Sequence, residues 1–207
     1  MNLLLRLAWF AITCGYKPAI GLHQEVKKHF RVLPTDLDVN GHMTNSRYLA
    51  IMDLASLELL VRAGLLKRVL KKRWRPVLGG TLTSHRRALK PFDRYTVQTQ
   101  AIYWDQCWSY LEHRFERDGE VVAVALSKVV FLSSQGMMPV LEVMGELATT
   151  PPALPEPVRL WLEAEEQLTS CMAGACIEAG RIGAARSESE NLGQSHSIEE
   201  GAVCSFG

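Results

Sequence analysis

Cysteine is scarce in this chain and poorly arranged for metal binding or cross-linking. The five residues, Cys14, Cys107, Cys171, Cys176 and Cys204, form no CxxC pair and are odd in number. Neither a zinc site nor a disulfide framework is expected, and reduced thiols in a cytoplasmic setting follow. A charge of one sign is also lacking. With 23 Lys and Arg against 22 Asp and Glu, the net charge of +1 gives no global attraction for nucleic acid. Internal repeats are absent, which sets aside solenoids and propellers. No run spans a bilayer: the apolar stretch Met1 to Cys14 contains Arg6 and falls short of the roughly 20 residues that spanning takes. It also lacks the basic start and A-x-A-like site of an export signal. Residues 1–22 therefore read as an apolar packing or dimer-contact segment, with membrane-surface contact as the alternative. What remains is ordinary: 47% hydrophobic and 22% charged residues in a chain of 207, enough for one soluble domain with an appendage.

Along the chain, the periodicity changes once. His23 to Val32 predicts a strand, ended by the turn-forming group Pro34, Thr35 and Asp36. Ser46 to Leu66 follows, apolar nearly all round a helical wheel, so it predicts a helix buried on most sides. Asn45 is placed to cap it and Gly64 to stop it. Lys67 to Arg75 reads as a basic connector. From Pro76 the pattern has period two, with strands expected over Val77 to Lys90, Arg94 to Trp104, Trp108 to Glu116 and Glu120 to Ser133. Asp118-Gly119 is the strongest hairpin signal. The expectation is an α+β fold over residues 23–148, one long helix wrapped by an antiparallel sheet, its last four strands in a meander. An open sheet edge makes pairing with a second copy the default, as a homodimer or a dimer of dimers. Residues 149–168 read as a Pro-rich linker and short helix, and 169–207 as a Gly, Ser, Ala and Glu tail without a core.

Between the first strand and the helix, Asp36, Asp38, Asn40, His42 and Asn45 crowd into ten residues. Such a run can be only a polar turn, with Asp36 or Asp38 closing an Asx turn and His42 satisfied by backbone. It can also do chemistry. Thioester hydrolysis needs an activated water or an attacking carboxylate, plus stabilisation of the developing oxyanion. A carboxylate at the lip of a helix N-terminus, with its unpaired amides and partial positive charge, supplies both.

The run Thr35 to Tyr48, as D-x-D-x-x-x-H-x-x-N-x-x-Y, resembles the motif of the hotdog-fold acyl-CoA thioesterases of the 4-hydroxybenzoyl-CoA thioesterase-like superfamily, and its member-six-like group in particular. The likeness continues through Val77 to Val97, which holds the H-R-R-x-L-x-P-F-D segment, and on to Pro152 to Trp161, covering roughly residues 30 to 165. The resemblance implies a hotdog fold and hydrolysis of an acyl-CoA or acyl-carrier-protein thioester, with no cofactor and no metal. It implies Asp38 as general base or nucleophile, with Asn40 and His42 orienting the thioester or water. Met43, Thr44 and Asn45 would offer amides to the carbonyl, and Tyr48 would shape the pocket. A partner's strand would bring Thr81, Ser84 or His85. By charge alone, Arg86, Arg87 and Lys90 at a strand end, or Lys67 to Arg75, are candidates to meet the phosphates of CoA, the alternative being a solvated basic face. Two other readings stay open: an acyl-CoA-binding protein without turnover, and an enoyl-CoA hydratase, although the hydratase turn carries a Pro that is missing here.

Overall fold

A computed structural model describes residues 19–21, 24–147 and 151–170. The N-terminal apolar segment and the tail beyond 170 lie outside the described residues, as do the readings made of them. The chain divides into two units at residue 159/160, and residues 160–170 of the second are helical. Everything below concerns the first.

Its elements are β1 (Val26–Arg31), a 3-10 turn (Pro34–Asp36), α1 (Asn45–Arg62), α2 (Leu66–Lys71) and β2 (Arg75–His85). Then come β3 (Arg94–Trp104), β4 (Trp108–Arg117), β5 (Glu120–Ser133), the two-residue β6 (Gly136–Met137) and α3 (Val140–Met144). The sheet runs β1-β3-β4-β5-β2 and all its pairs are antiparallel, with β6 on the end of β5. This is the hotdog arrangement: one long helix on the face of a curled antiparallel sheet. The meander holds for β3, β4 and β5 only. β2 does not pair with β3, its neighbour in sequence; it crosses to the far side of β5 and forms an edge.

Local chemistry accounts for the joints. Asp118 and Gly119 have φ of 53° and 80°, the doubly left-handed turn that suits the twist of two antiparallel strands. Helix α1 ends in a Schellman motif: the Gly64 amide donates to Val61 O at 2.9 Å and the Leu65 amide to Leu60 O at 3.1 Å. Gly64 supplies the positive φ of 74° that this closure requires. The basic connector is partly helical, because Val69 is buried and pins it against Trp74, Phe131 and Val143. At the other end of α1 the expected cap is displaced by one residue. Thr44 holds the N-cap position and Asn45 is the first helical residue, exposed.

Beneath α1 the core falls into neighbouring clusters. Tyr48, Ile51, Met52 and Ala55 pack on Val97, Phe115, Ala123 and Ala125, while Leu59 meets Val26, Ala101 and Leu111. Two polar devices cross this interior. Glu58, fully buried on α1, is paired at 3.0 Å with Lys28 of β1, which fastens the helix to the sheet edge. His113, on the helix-facing side of β4, bonds Thr99 Oγ1 through Nδ1 and Ser127 Oγ through Nε2, both at 2.9 Å. Burial pushes its imidazole down to about 3, so it is a neutral cross-strand tie.

Candidate active site

Two aspartates two residues apart have opposite environments. Asp36 is fully buried. Its Oδ2 accepts the Leu33 amide at 2.9 Å, its Oδ1 meets Arg47 Nε at 3.1 Å, and its backbone carbonyl accepts the Thr44 amide at 2.9 Å. It clamps the 3-10 turn to the first turn of α1. Asp38 is exposed, and its Oδ1 accepts the amides of Asn40 at 2.8 Å and His42 at 3.1 Å. The loop is closed by Asp38 N donating to His42 O at 2.8 Å and by the Gly41 amide donating to Asp38 O at 3.1 Å. Gly41 takes a φ of 72° to do so.

The Asx-turn reading is therefore realised, and by Asp38 itself. That does not spend the group. The His42 amide above all, helped by Asn40, holds the carboxyl below the usual carboxylate range, so it stays anionic at any working pH. Such a carboxylate is a modest proton acceptor and a persistent anion. Asp38 lines a cleft of about 290 Å³ together with His42, Asn45, Tyr48, His85, Arg86 and Arg87.

The other expected residues fall into three groups. Tyr48 and His85 stack edge-on with ring centroids 4.5 Å apart, at the back of this cleft. Burial pushes the Tyr48 phenol up and the His85 imidazole down, so both are neutral near pH 7. Arg86 stands on the rim, whereas its neighbour Arg87 is ion-paired with Glu120. Thr81 lies elsewhere: it lines a second cleft, between α1 and β2, about 360 Å³ in volume. At roughly 3.3 Å per residue it is about 13 Å along β2 from His85. Ser84 points to the opposite face from Thr81 and His85, as period two demands, and enters neither cleft within this chain.

The amides offered to a carbonyl are narrowed. Met43 N–H donates to Leu89 O at 2.9 Å and Thr44 N–H to Asp36 O at 2.9 Å, so neither is free to meet a ligand. Asn45 and Ser46, in the first turn of α1, are the amides without an i−4 carbonyl to bind. One acid was missed by the sequence reading. Asp53 lies in the α1–β2 cleft, where apolar walls push its carboxyl up. Its signal was available: it is the one acid in the helical run Asn45 to Leu57.

A family model described as the thioesterase-like superfamily matches residues 32–162. The chain is 37% identical over 127 residues to Protein THEM6 of Drosophila melanogaster, covering 60% of this chain and 65% of that one. It is 31% identical over 163 residues to Protein THEM6 of Danio rerio, covering 76% and 79%. The matched stretch thus spans just under two thirds of the fly protein's length. Among solved structures, a probable thioesterase of Escherichia coli, YbaW, superposes with a TM-score of 0.53 at 25% identity, covering 58% of this chain and 92% of that one. On motif, fold and sequence together, the chain belongs to the thioesterase-like superfamily of hotdog proteins.

Proposed function

We propose that this protein hydrolyses acyl-CoA thioesters, with Asp38 as the reactive carboxylate. The observation that carries this reading is an exposed, persistently anionic Asp38 lining one cleft with Asn45, the first residue of α1, whose amide has no i−4 carbonyl to bind. The thioester carbonyl oxygen is polarised by that amide and the N-terminal dipole of α1. Asp38 either takes a proton from water, which attacks the carbonyl carbon, or attacks that carbon itself. In both routes the C–S bond breaks and CoA leaves as thiolate and takes up a proton; the first gives the free acid directly, and the second gives an acyl–Asp38 anhydride that water then hydrolyses to the free acid and the Asp38 carboxylate. The depressed Asp38 favours direct attack, since proton abstraction is best served by a group titrating nearer the working pH. Arg86 on the rim meets CoA phosphate.

A homodimer completes the site in this reading. Val77, Leu78 and Leu82 are exposed on the β2 edge at 39%, 47% and 49%, an apolar strand rim that a second β2 would cover. Antiparallel pairing about the strand's midpoint sets His85 of one copy opposite Arg75 of the other. That brings the Asp38 cleft of one copy to the α1–β2 cleft of its neighbour. The test is release of CoA thiol from a panel of acyl-CoA esters by the purified full-length chain. Turnover that falls by about 100-fold or more in Asp38→Asn supports the reading. Tight binding of every ester without turnover supports the non-catalytic alternative, and water addition to an enoyl-CoA without thiol release supports the hydratase.

A further inference from the structure

Acidic residues are missing from one long stretch of this chain. Residues 59–92 hold ten of the 23 Lys and Arg and none of the 22 Asp and Glu. Six of those ten, Lys67, Arg68, Lys71, Lys72, Arg73 and Arg75, fall within nine residues at α2 and the bend after it. All six are exposed. Arg68 donates to Val143 O at 3.3 Å, and the other five form no ion pair with any described residue. A chain with a net charge of only +1 therefore concentrates its positive charge at one corner.

The corner is firmly held. Val69 is buried against Trp74, Phe131 and Val143, and the helical repeat then turns Lys67 and Lys71 away from the core. Leu70 lies between them in sequence and is 65% exposed. α2 closes as α1 does: the Arg73 amide donates to Leu70 O at 3.1 Å and the Trp74 amide to Val69 O at 3.0 Å. At the end of α1 the left-handed position of this closure is filled by Gly64, the residue that adopts it without strain. At the end of α2 it is filled by Arg73, with a φ of 56°. An arginine held where glycine would be more stable points to a use for its side chain.

We propose that the α2 corner docks this protein on an anionic membrane surface. Charge complementarity carries the choice of partner. Lys67, Lys71, Lys72, Arg73 and Arg75 meet lipid phosphates, while their alkyl stems and Leu70 reach the apolar boundary beneath. A single-stranded nucleic acid is held by stacking on aromatic rings as well as by charge, and the one aromatic of this run, Trp74, is buried. The phosphates of CoA are a smaller target. Within one chain, the length of α1, about 27 Å, also stands between this corner and the Asp38 loop.

The experiment is co-sedimentation of the full-length protein with vesicles of phosphatidylcholine alone and of phosphatidylcholine with phosphatidylserine at about two to one. The anionic vesicles are expected to bind at least tenfold more tightly, and about 1 M salt should abolish the difference. Each neutralised cation weakens binding about fivefold, so Lys67→Gln, Lys71→Gln and Lys72→Gln combined lose about 100-fold. Leu70→Ser loses about tenfold on anionic vesicles. Arg73→Gly separates docking from folding: its Tm is expected to hold or rise while vesicle binding falls about fivefold. Should the triple variant not fold, Arg73→Gly carries the test alone.

Equal binding to both kinds of vesicle overturns the proposal, as does unchanged binding in the folded variants. Loss of CoA binding in the triple variant, with vesicle binding intact, assigns these cations to CoA instead. An RNA oligomer bound through the same cations while vesicles are ignored assigns them to nucleic acid. The vesicle assay contains no thioester, so its outcome is independent of the chemistry at Asp38.

Discussion

The two ends of α1 are built by opposite means. At the N-terminal end, polar side chains and backbone amides lock an exposed loop: Asp36 and Arg47 below, Asp38 with Asn40 and His42 above. At the C-terminal end the helix is held by apolar contacts around a void, and its last carbonyls are tied by the Gly64 and Leu65 amides. One end is lined by charged and polar groups, and the other has almost no polarity. A thioester presents the same division, a polar reacting head and an apolar tail. Yet within one chain the Asp38 cleft shares no lining residue with the α1–β2 cleft or with this void, and it is the proposed pairing of β2 edges that would bring them together.

The contrast can be broken at its foundations first. Asp36→Ala removes the buried half of the Arg47 pair and the partner of the Leu33 amide, and is expected to cost about 3 kcal/mol, measured by urea unfolding. Asp38→Ala, two residues on, takes away only an exposed Asx turn and is expected to lower stability clearly less than Asp36→Ala in the same assay. Equal losses at the two positions would erase the distinction between clamp and reactive group. A second effect lies under the middle of the helix. The folded protein keeps His113 neutral with its imidazole pushed down to about 3, against an ordinary value of 6.5 in the unfolded chain. The unfolded state therefore binds the extra proton between those values. The stability His113 contributes is complete above pH 6.5 and drains away as the pH falls toward 3, by up to about 1.4 kcal/mol per unit. Thermal unfolding followed from pH 7 to pH 4 checks this, and His113→Gln should flatten the acid limb. The smallest effect belongs to the C-terminal end. Gly64→Ala forces a side chain into a φ of 74° and is expected to cost about 1 kcal/mol without touching the Asp38 loop.

Much of this could be read from the residues. The strands Arg94–Trp104 and Glu120–Ser133 have the bounds that their periodicity and the Asp118-Gly119 turn predicted, since both signals are local. The polar segment, too, announced itself by composition. Three things were not legible, each because it depends on partners distant in sequence. β2 ends at His85 and not at Lys90, and lies beyond β5, because its pairing is set by the helix it must flank. The Met43 and Thr44 amides are consumed by Leu89 and Asp36, carbonyls that no motif points to. The void at the C-terminal end of α1 exists only where Ala63, Ala101 and their neighbours meet, and small residues at positions 63 and 101 look like ordinary filling in a linear sequence.

The central claim is that Asp38 carries the chemistry and not the binding of the ester. Its most direct test measures both quantities on one variant. Asp38→Asn, whose amide oxygen can still accept the Asn40 and His42 amides, should bind the acyl-CoA ester that the wild type turns over best with a Kd within about threefold of wild type while single-turnover hydrolysis falls by about 100-fold or more. Hydrolysis within tenfold of wild type, or a Kd lost together with the rate, would contradict it.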